Sequence, residues 1–160
     1  MQAESSKLQL QNSSWLLTWN PLRFQEADPQ YALSELYQDL LQVGFAITKW
    51  SCGVNTSIKF GEKIFLMRLG QEPRGIVASG IALSDVFTGT HWDDERRRKG
   101  VLAKRIYVKF DDIRLGNTGI LPIETLQEKF PNVFWSPQAS GMRIPENVSA
   151  SLMESWQQCL

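Results

Sequence analysis

Two apolar segments joined by a short turn constrain the fold of this chain more than any other part of its sequence. Residues 64–69 are apolar apart from Arg68, and Gly75–Ala82 consists mainly of small and aliphatic residues. The intervening residues, Gly-Gln-Glu-Pro-Arg, are rich in turn formers. The pattern predicts a β-hairpin whose second strand is central, because strands covered on both faces lack polar alternation. The glycines of that strand suggest that another backbone or a ligand lies close to it.

Other segments extend this hairpin into an α+β domain. Strands are predicted where apolar residues cluster or alternate, at residues 15–19, 45–50 and 105–113. Helices are predicted where apolar residues recur with a helical period, at residues 30–43, 123–129 and 146–158. Residues 84–103 and 136–145 are expected to be loops. Together these elements predict an open β-barrel of about five or six strands with flanking helices.

Length and charge limit the organisation of the chain and its partners. Residues 1–13 are polar and are expected to be a disordered leader before one domain at 14–160. The formal net charge is zero, whereas a protein that binds any polyanion is usually strongly basic. A reader of nucleic acid with a local basic patch is compatible with this balance.

Cysteine count and hydropathy indicate the compartment. Cys52 and Cys159 are too few for the disulfide framework of a secreted domain. The sequence contains neither the apolar core of a signal peptide nor an apolar run of about 20 residues. We therefore expect a cytoplasmic protein with two free thiols and no membrane partner.

The single histidine, His91, argues against several classes of enzyme. Zinc hydrolases need more histidines or a Cys/His set at ligand spacing. A Gly-x-Ser-x-Gly elbow, a P-loop and a dinucleotide-binding glycine motif are all missing from the sequence. Adjacent carboxylates such as Asp111 and Asp112 point to opposite faces of a strand, so a carboxylate nuclease is only a minor alternative. The sequence predicts no catalytic residue, no metal site and no cofactor.

Tryptophan is enriched, with six residues, and several stand where polar loops are expected. Trp50 ends an apolar run and is followed directly by Ser51, Cys52 and Gly53. A large aromatic beside small hydrogen-bonding residues suits the wall of a pocket for a flat ligand such as a nucleobase. Base–aromatic stacking is worth about 1–3 kcal/mol per base. Core packing is the alternative for each tryptophan, and it is the favoured one at Trp15, Trp19, Trp135 and Trp156.

Five motifs occur in order along residues 14–158 and carry a resemblance to a known family. They are Trp-Asn-Pro at 19–21, Trp-Ser-Cys-Gly at 50–53, GEKIFLMRLGQEPRGIVASG at 61–80, His-Trp at 91–92 and WSPQASGMRIP at 135–145. In these motifs the chain resembles the EVE domains, PUA-like barrels related to the YTH domains that read methylated adenine in RNA. It looks most similar to the EVE domains at the N-terminus of bacterial modification-dependent HNH endonucleases, and the sequence does not include the nuclease part.

The resemblance implies an aromatic cage that holds a flipped or single-stranded modified base. Trp50 and Trp92 align with two tryptophans of the cage. The resemblance also places Ser51 at the edge of the base, where its hydroxyl would form a hydrogen bond. The remaining residues that it implies for base binding are Trp19, Asn20, Ser140 and Gly141.

Basic residues flank the Trp92 position and are candidates for contacts with phosphates on either side of the base. They are Arg96, Arg97, Arg98, Lys99, Lys104 and Arg105, with Arg143 as a further candidate in the late loop. The alternative is a solvated charged face that the acidic residues 93–95 partly neutralise. Arg68 and Arg74 flank the hairpin, where a structural role is expected. Cys52 is expected to be a small packed residue and not a nucleophile.

Two functions follow from these features. The first is a module that recognises 5-methylcytosine or another 5-substituted cytosine in DNA, as the sensor of a restriction system with a fused or separate nuclease effector. The second is a PUA-like reader of N6-methyladenine in RNA, or of tRNA. One buried methyl group contributes only about 0.8 kcal/mol, whereas flipping a base out of a duplex costs a few kcal/mol. Stacking must therefore offset the flipping, and the methyl contact supplies the discrimination.

Overall fold

A computed structural model of the chain describes residues 13–22, 33–90, 100, 102–116 and 118–159. Of the predicted leader only Ser13 lies in these ranges, and its carbonyl accepts a hydrogen bond from the Lys63 N–H at 3.1 Å. The disorder of the leader stays a prediction. Likewise, residues 30–32 of the first predicted helix fall outside the described ranges.

Eight strands and three helices occur in the described ranges, and they confirm the predicted α+β open barrel. In chain order the elements are β1 (Ser14–Trp19), α1 (Leu33–Val43), β2 (Ala46–Ser51), β3 (Lys63–Arg68), β4 (Gly75–Ala82), β5 (Phe87–Thr90), β6 (Leu102–Ile113), β7 (Leu121–Pro122), α2 (Ile123–Lys129), β8 (Met142–Ile144) and α3 (Glu146–Gln158). The strands number more than the sequence predicted because β5, β7 and β8 are two to four residues long.

The strands form one mixed sheet with the order β2-β6-β4-β3-β1-β8, while β5 pairs with β6 and β7 with β4. Strands β1 and β3 are parallel, and the other pairs are antiparallel. The predicted hairpin is the centre of this sheet. A Cβ on Gly80 would overlap the Lys109 carbonyl of β6, so the close neighbour predicted for the glycines of β4 is another backbone.

The sheet curves until its two edges approach each other at one end. Irregular pairing between Ser79 and Gly80 contributes to the curvature, since bulges bend strands. The loop after β2 then meets the segment before β8, where the Asn55 side-chain amide donates to the Gly141 carbonyl at 2.7 Å. A Cβ on Gly53 would lie only 2.6 Å from the Ser140 carbonyl oxygen, and Gly53 has φ of +64°. Glycine is therefore needed where the two edges of the open barrel come together.

The sheet has an inner and an outer face, and each has its own apolar core. Along β1, Trp15 and Trp19 face the inner core, which α1 covers, while Leu16 faces the outer core. Helix α3 packs on the outer face through Leu152 and Trp156. The predicted core packing of Trp15, Trp19, Trp135 and Trp156 is confirmed, since all four side chains are buried.

Candidate functional site

Four segments that are distant in sequence meet at one end of the barrel. The Thr18 N–H donates to the Ser140 hydroxyl at 3.1 Å, and the Trp50 indole N–H donates to the Thr18 carbonyl at 3.0 Å. The Cys52 N–H donates to the Lys104 carbonyl at 3.0 Å. The end of β1, the end of β2, the start of β6 and residues 139–141 therefore form one cluster, which holds most of the predicted site residues that the structure describes.

Trp50 is a core residue in this structure, because none of its surface is exposed. Its ring meets Phe110 edge-on, with the centroids 6.0 Å apart and the planes at 89°. The alternative of core packing, which the sequence left open, describes its present position. A ligand can reach the Trp50 ring only after the residues that bury it move aside. The role of Trp50 as a cage wall therefore stays a prediction.

Ser51 and Cys52 follow Trp50 and turn the chain away from the sheet. The Ser51 hydroxyl is half-buried and accepts a hydrogen bond from the Gly53 N–H at 3.3 Å. Burial raises the pKa of the Cys52 thiol to about 11, against the opposing effect of the nearby Lys104 charge. A thiol that is neutral at physiological pH is a poor nucleophile, which agrees with the packed role predicted for Cys52.

Trp19 lies at the end of β1 and Asn20 follows it, and their role at a pocket mouth stays a prediction. Trp19 is buried on the inner face, and its indole N–H has no hydrogen-bond partner among the described residues. The Asn20 side chain accepts a hydrogen bond from the Leu22 N–H at 3.0 Å. It also lies against Gly70, where a Cβ would overlap it.

Arg68 lies beside the cluster, although the sequence suggested only a structural role for it in the hairpin. Parallel pairing sets Arg68 opposite Trp19, and alternation along β3 places it on the inner face with Ile64 and Leu66. Its Nε donates to the Pro73 carbonyl at 2.8 Å, but its buried Nη2 has no acceptor in the described part of the chain. Burial lowers the pKa of Arg68, and the charge of Glu72 opposes this effect. The available signal was a cation that ends an otherwise apolar strand.

Trp19 and Arg68 are thus paired residues on β1 and β3, and each has a buried donor without an acceptor among the described residues. A buried donor left unsatisfied costs about 1–3 kcal/mol. Such groups are rare in folded proteins, and a bound water or a ligand is the usual explanation. The arrangement can therefore take up a small group that carries acceptors.

Ser140 and Gly141 make hydrogen bonds and close contacts within the protein itself. The Gly141 N–H donates to the Leu16 carbonyl at 3.0 Å, and a Cβ on Gly141 would overlap the Cys52 carbonyl. The need for glycine at 141 thus comes from the protein backbone beside it. Ligand contacts of Ser140 and Gly141 stay predictions.

The predicted phosphate contacts divide into three groups. Lys104 is half-buried and Arg105 is buried at the start of β6, where Arg105 pairs with Ser51 across the sheet. Arg143 lies apart from this cluster, opposite Trp15, where its exposed guanidinium meets Glu146 at 3.3 Å. The base-binding candidate Trp92 and the cations Arg96, Arg97, Arg98 and Lys99 lie outside the described residues.

The described ranges contain neither a metal-binding cluster nor a membrane-spanning helix. No group of three or more His, Cys, Asp or Glu residues there is arranged to hold a metal ion. None of the described helices has the length and apolar character needed to cross a membrane.

Known structures share this fold. A protein from Leishmania major matches with a TM-score of 0.62 and 14% identity, covering 91% of this chain and 96% of that one. Human THYN1 in complex with DNA containing 5-methylcytosine matches at 0.59 and 15%, covering 89% and 97%. The protein PSPTO5229 from Pseudomonas syringae matches at 0.57 and 18%, covering 89% and 99%.

At these identities the likeness establishes the fold alone, an α+β open barrel of the PUA-like kind. No protein-family model matches the sequence, and no curated protein matches it either.

Proposed function

We propose that this chain is a binding module for a modified base in nucleic acid, with 5-methylcytosine or another 5-substituted cytosine in DNA as the base. The observation that carries the proposal is the meeting of four distant segments at one end of the open barrel, each with a residue predicted for base or phosphate contact. Further support comes from human THYN1, which has this kind of fold and was solved with DNA containing 5-methylcytosine.

In this proposal Trp50 and Trp92 stack on the two faces of the base. Because Trp50 is fully covered, binding includes a movement that uncovers its ring. Stacking, at about 1–3 kcal/mol per base, then offsets both that movement and the few kcal/mol needed to flip a base out of a duplex. A single strand avoids the second cost, so we expect it to bind more tightly than a duplex of the same sequence.

Polar recognition is assigned to the donors that lack acceptors, Trp19 Nε1 and Arg68 Nη2. A flipped base is read by hydrogen bonds to its Watson–Crick edge, and a cytosine presents O2 and N3 there as acceptors. The ligand thus offers the groups that these two donors lack. The Ser51 hydroxyl, the Asn20 amide and the backbone at Ser140 and Gly141 complete the proposed set.

Cations near the site are assigned to the phosphates of the flanking nucleotides. Lys104 and Arg105 lie at the start of β6, and the basic run at 96–99 precedes them in sequence. Arg143 contacts a phosphate only after its ion pair with Glu146 breaks. Breaking it costs little free energy, because exposed ion pairs are weak. Binding is therefore expected to weaken with salt. In a restriction system this chain supplies recognition, and a fused or separate nuclease supplies cleavage.

The substitution Trp19→Phe tests the site without emptying the core. It removes a donor that has no partner in the described protein but leaves a small cavity where the larger ring was, so the free energy of unfolding should fall by about 1–2 kcal/mol. Loss of one ligand hydrogen bond should weaken binding of a strand with 5-methylcytosine about 2- to 12-fold. Fluorescence polarisation and urea unfolding measure the two quantities.

Trp15→Phe is the matched control, because the Trp15 indole N–H is equally buried and unpartnered but lies at the other end of β1. Its affinity should equal that of the wild type. Equal affinity of Trp19→Phe and Trp15→Phe would remove Trp19 from the site.

The identity of the base is tested with strands that differ at one position. Wild-type affinity is compared for cytosine, 5-methylcytosine and 5-hydroxymethylcytosine in DNA and for N6-methyladenine in RNA. Tighter binding to a modified cytosine supports the proposal. Preference for the methylated RNA would reassign the module to RNA, and equal binding to all four would contradict a role in reading modification.

A further inference from the structure

The helices in the described part of the chain cover only half of the outer face of the sheet. Helices α2 and α3 pack over β1, β3 and the first half of β4, where the outer core lies. On the other half, formed by β2, β5 and β6, three large side chains are exposed: Phe45, just before β2, is 37% exposed, Ile47 on β2 50% and Tyr107 on β6 43%. We call this surface the open face, formed by Phe45, Ile47, Lys49, Phe87, Tyr107 and Lys109.

The register of the sheet explains why these residues share one face. Antiparallel pairing sets Ile47 opposite Lys109, and Lys49 opposite Tyr107. Alternation along β6 sends Ile106 and Val108 into the inner core and leaves Tyr107 and Lys109 on the outside.

Aromatic rings and cations are interleaved across the open face. The Phe87 and Tyr107 rings stack with their centroids 5.2 Å apart and their planes at 28°. The Lys109 ammonium lies 4.7 Å from the centroid of the Phe45 ring, and Lys49 is exposed beside Tyr107. The exposed Asp111 follows Lys109 at the far end of the face, away from Ser51.

This chemistry fits single-stranded nucleic acid. Proteins that bind single strands combine aromatic rings, on which bases stack, with cations that follow the phosphates. The open face reaches the candidate site at Ser51, which alternation along β2 places on the same face as Lys49, whereas Trp50 between them faces the inner core. A second copy of the chain would bring the lysines of one open face against those of the other, which disfavours a symmetric dimer.

We propose that the open face binds the single-stranded flank of a nucleic acid whose modified base occupies the candidate site. The inference rests on the proposed function only in that the chain binds nucleic acid. Strand β2 has six residues, which is about 20 Å at 3.3 Å per residue. That length corresponds to about six stacked nucleotides at 3.4 Å each. Long strands should therefore bind more tightly than short ones.

The test compares two labelled DNA single strands by fluorescence polarisation. One has three nucleotides and the other nine, and each carries a single 5-methylcytosine at its 5′ end or its 3′ end. Tyr107→Ala should weaken binding of the nine-nucleotide strand about 5- to 160-fold, the range for loss of one stacked base at 1–3 kcal/mol, and leave the three-nucleotide strand unchanged. Lys49→Gln should reduce the salt slope for the longer strand by about 0.7.

Phe134→Ala is the matched control, because Phe134 is 66% exposed but lies outside the open face. It should bind both strands as the wild type does. The proposal is overturned if Tyr107→Ala behaves like this control, or if the wild type binds both lengths equally. It is also overturned if sedimentation shows a wild-type dimer that Tyr107→Ala converts to a monomer.

The three-nucleotide strand separates this proposal from the proposed function. Selectivity for 5-methylcytosine over cytosine in that strand reports on the candidate site alone. If that selectivity is absent while the Tyr107-dependent gain with length persists, the modified-base function fails and the open face stands. If selectivity is present without a gain with length, the open face fails and the modified-base function stands.

Discussion

Both halves of the outer face contain a cation beside an aromatic ring, but only one of these pairs is buried. On the covered half, the Arg114 guanidinium lies 3.5 Å from the centroid of the Trp156 ring. On the open face, the Lys109 ammonium lies 4.7 Å from the centroid of the Phe45 ring. Each half thus pairs a cation with an aromatic ring, but α3 buries only the first pair.

The difference lies in how many partners each cation has. Arg114 donates to the carbonyls of Gly119 and Trp156 and forms a 2.8 Å ion pair with Asp112. A guanidinium held in this way is part of the fold, because it ties the end of β6 to α3. An aromatic–cation pair left in solvent contributes little to stability, about 0.5–1 kcal/mol, and is free to contact a ligand. Burial, and not residue type, therefore separates the structural half from the candidate binding half.

The largest expected loss of stability comes from a substitution in the covered half. Trp156→Ala removes a fully buried ring whose indole N–H donates to the Ser79 hydroxyl at 2.9 Å. We expect it to lower the free energy of unfolding by about 3–5 kcal/mol, while Tyr107→Ala lowers it by less than about 1 kcal/mol. Urea unfolding measures both. Similar losses at the two positions would show that the open face is also structural.

A smaller effect is expected from the two cations. Arg114→Ala leaves the Gly119 and Trp156 carbonyls without their donor, and we expect a loss of about 3 kcal/mol, since hydrogen bonds to charged groups contribute about 1.5–3 kcal/mol. Lys109→Ala should cost less than about 1 kcal/mol. Thermal unfolding of the two variants ranks them, and an equal fall in melting temperature would contradict the distinction.

The smallest expected effect is a pH dependence of stability that arises from Cys52 on the inner face. Burial raises the pKa of Cys52 to about 11 from an ordinary value of 9.0. The neutral thiol therefore stabilises the fold fully below pH 9, and this contribution is lost as the pH rises toward 11, by on the order of 2 kcal/mol. Unfolding of the wild type and of Cys52→Ala should diverge across that range.

Thiol labelling at pH 8 provides a second readout of the same burial. Cys159 is half-buried and should react first, while Cys52 should react only as the protein unfolds. Rapid labelling of two thiols in the folded protein would contradict the pKa shift.

Much of the fold was predictable because long periodic segments determine their own structure. The bounds of β4, α2 and α3 match the prediction, since each is delimited by a glycine or a proline and has a clear pattern. Strand β5 was not predictable, because its four residues, Phe-Thr-Gly-Thr, have a weak pattern and depend on β6 for pairing. Strand β8 depends in the same way on β1.

The candidate site was only partly predictable for the same reason. Sequence placed Trp50, Ser51, Trp19 and Asn20 at strand ends and Ser140 in a loop, and the structure brings these segments together. It did not predict that Trp50 is fully covered or that Arg68 lies beside Trp19, because burial and neighbours across the sheet are set by long-range pairing. The open face was foreseeable in part, since the alternation of β6 predicted one exposed side.

The contacts that assemble the candidate site also determine when it can exist during synthesis. The hydrogen bond between Thr18 and Ser140 joins residues 122 positions apart, and that between Asn55 and Gly141 joins residues 86 positions apart. Contacts of such large sequence separation form late, because closing a long loop costs entropy before the contact rewards it. A nascent chain that ends before residue 139 already contains Trp19, Trp50 and Arg68 but not Ser140 and Gly141, which close the cluster. The candidate site is therefore incomplete until almost all of the domain has left the ribosome.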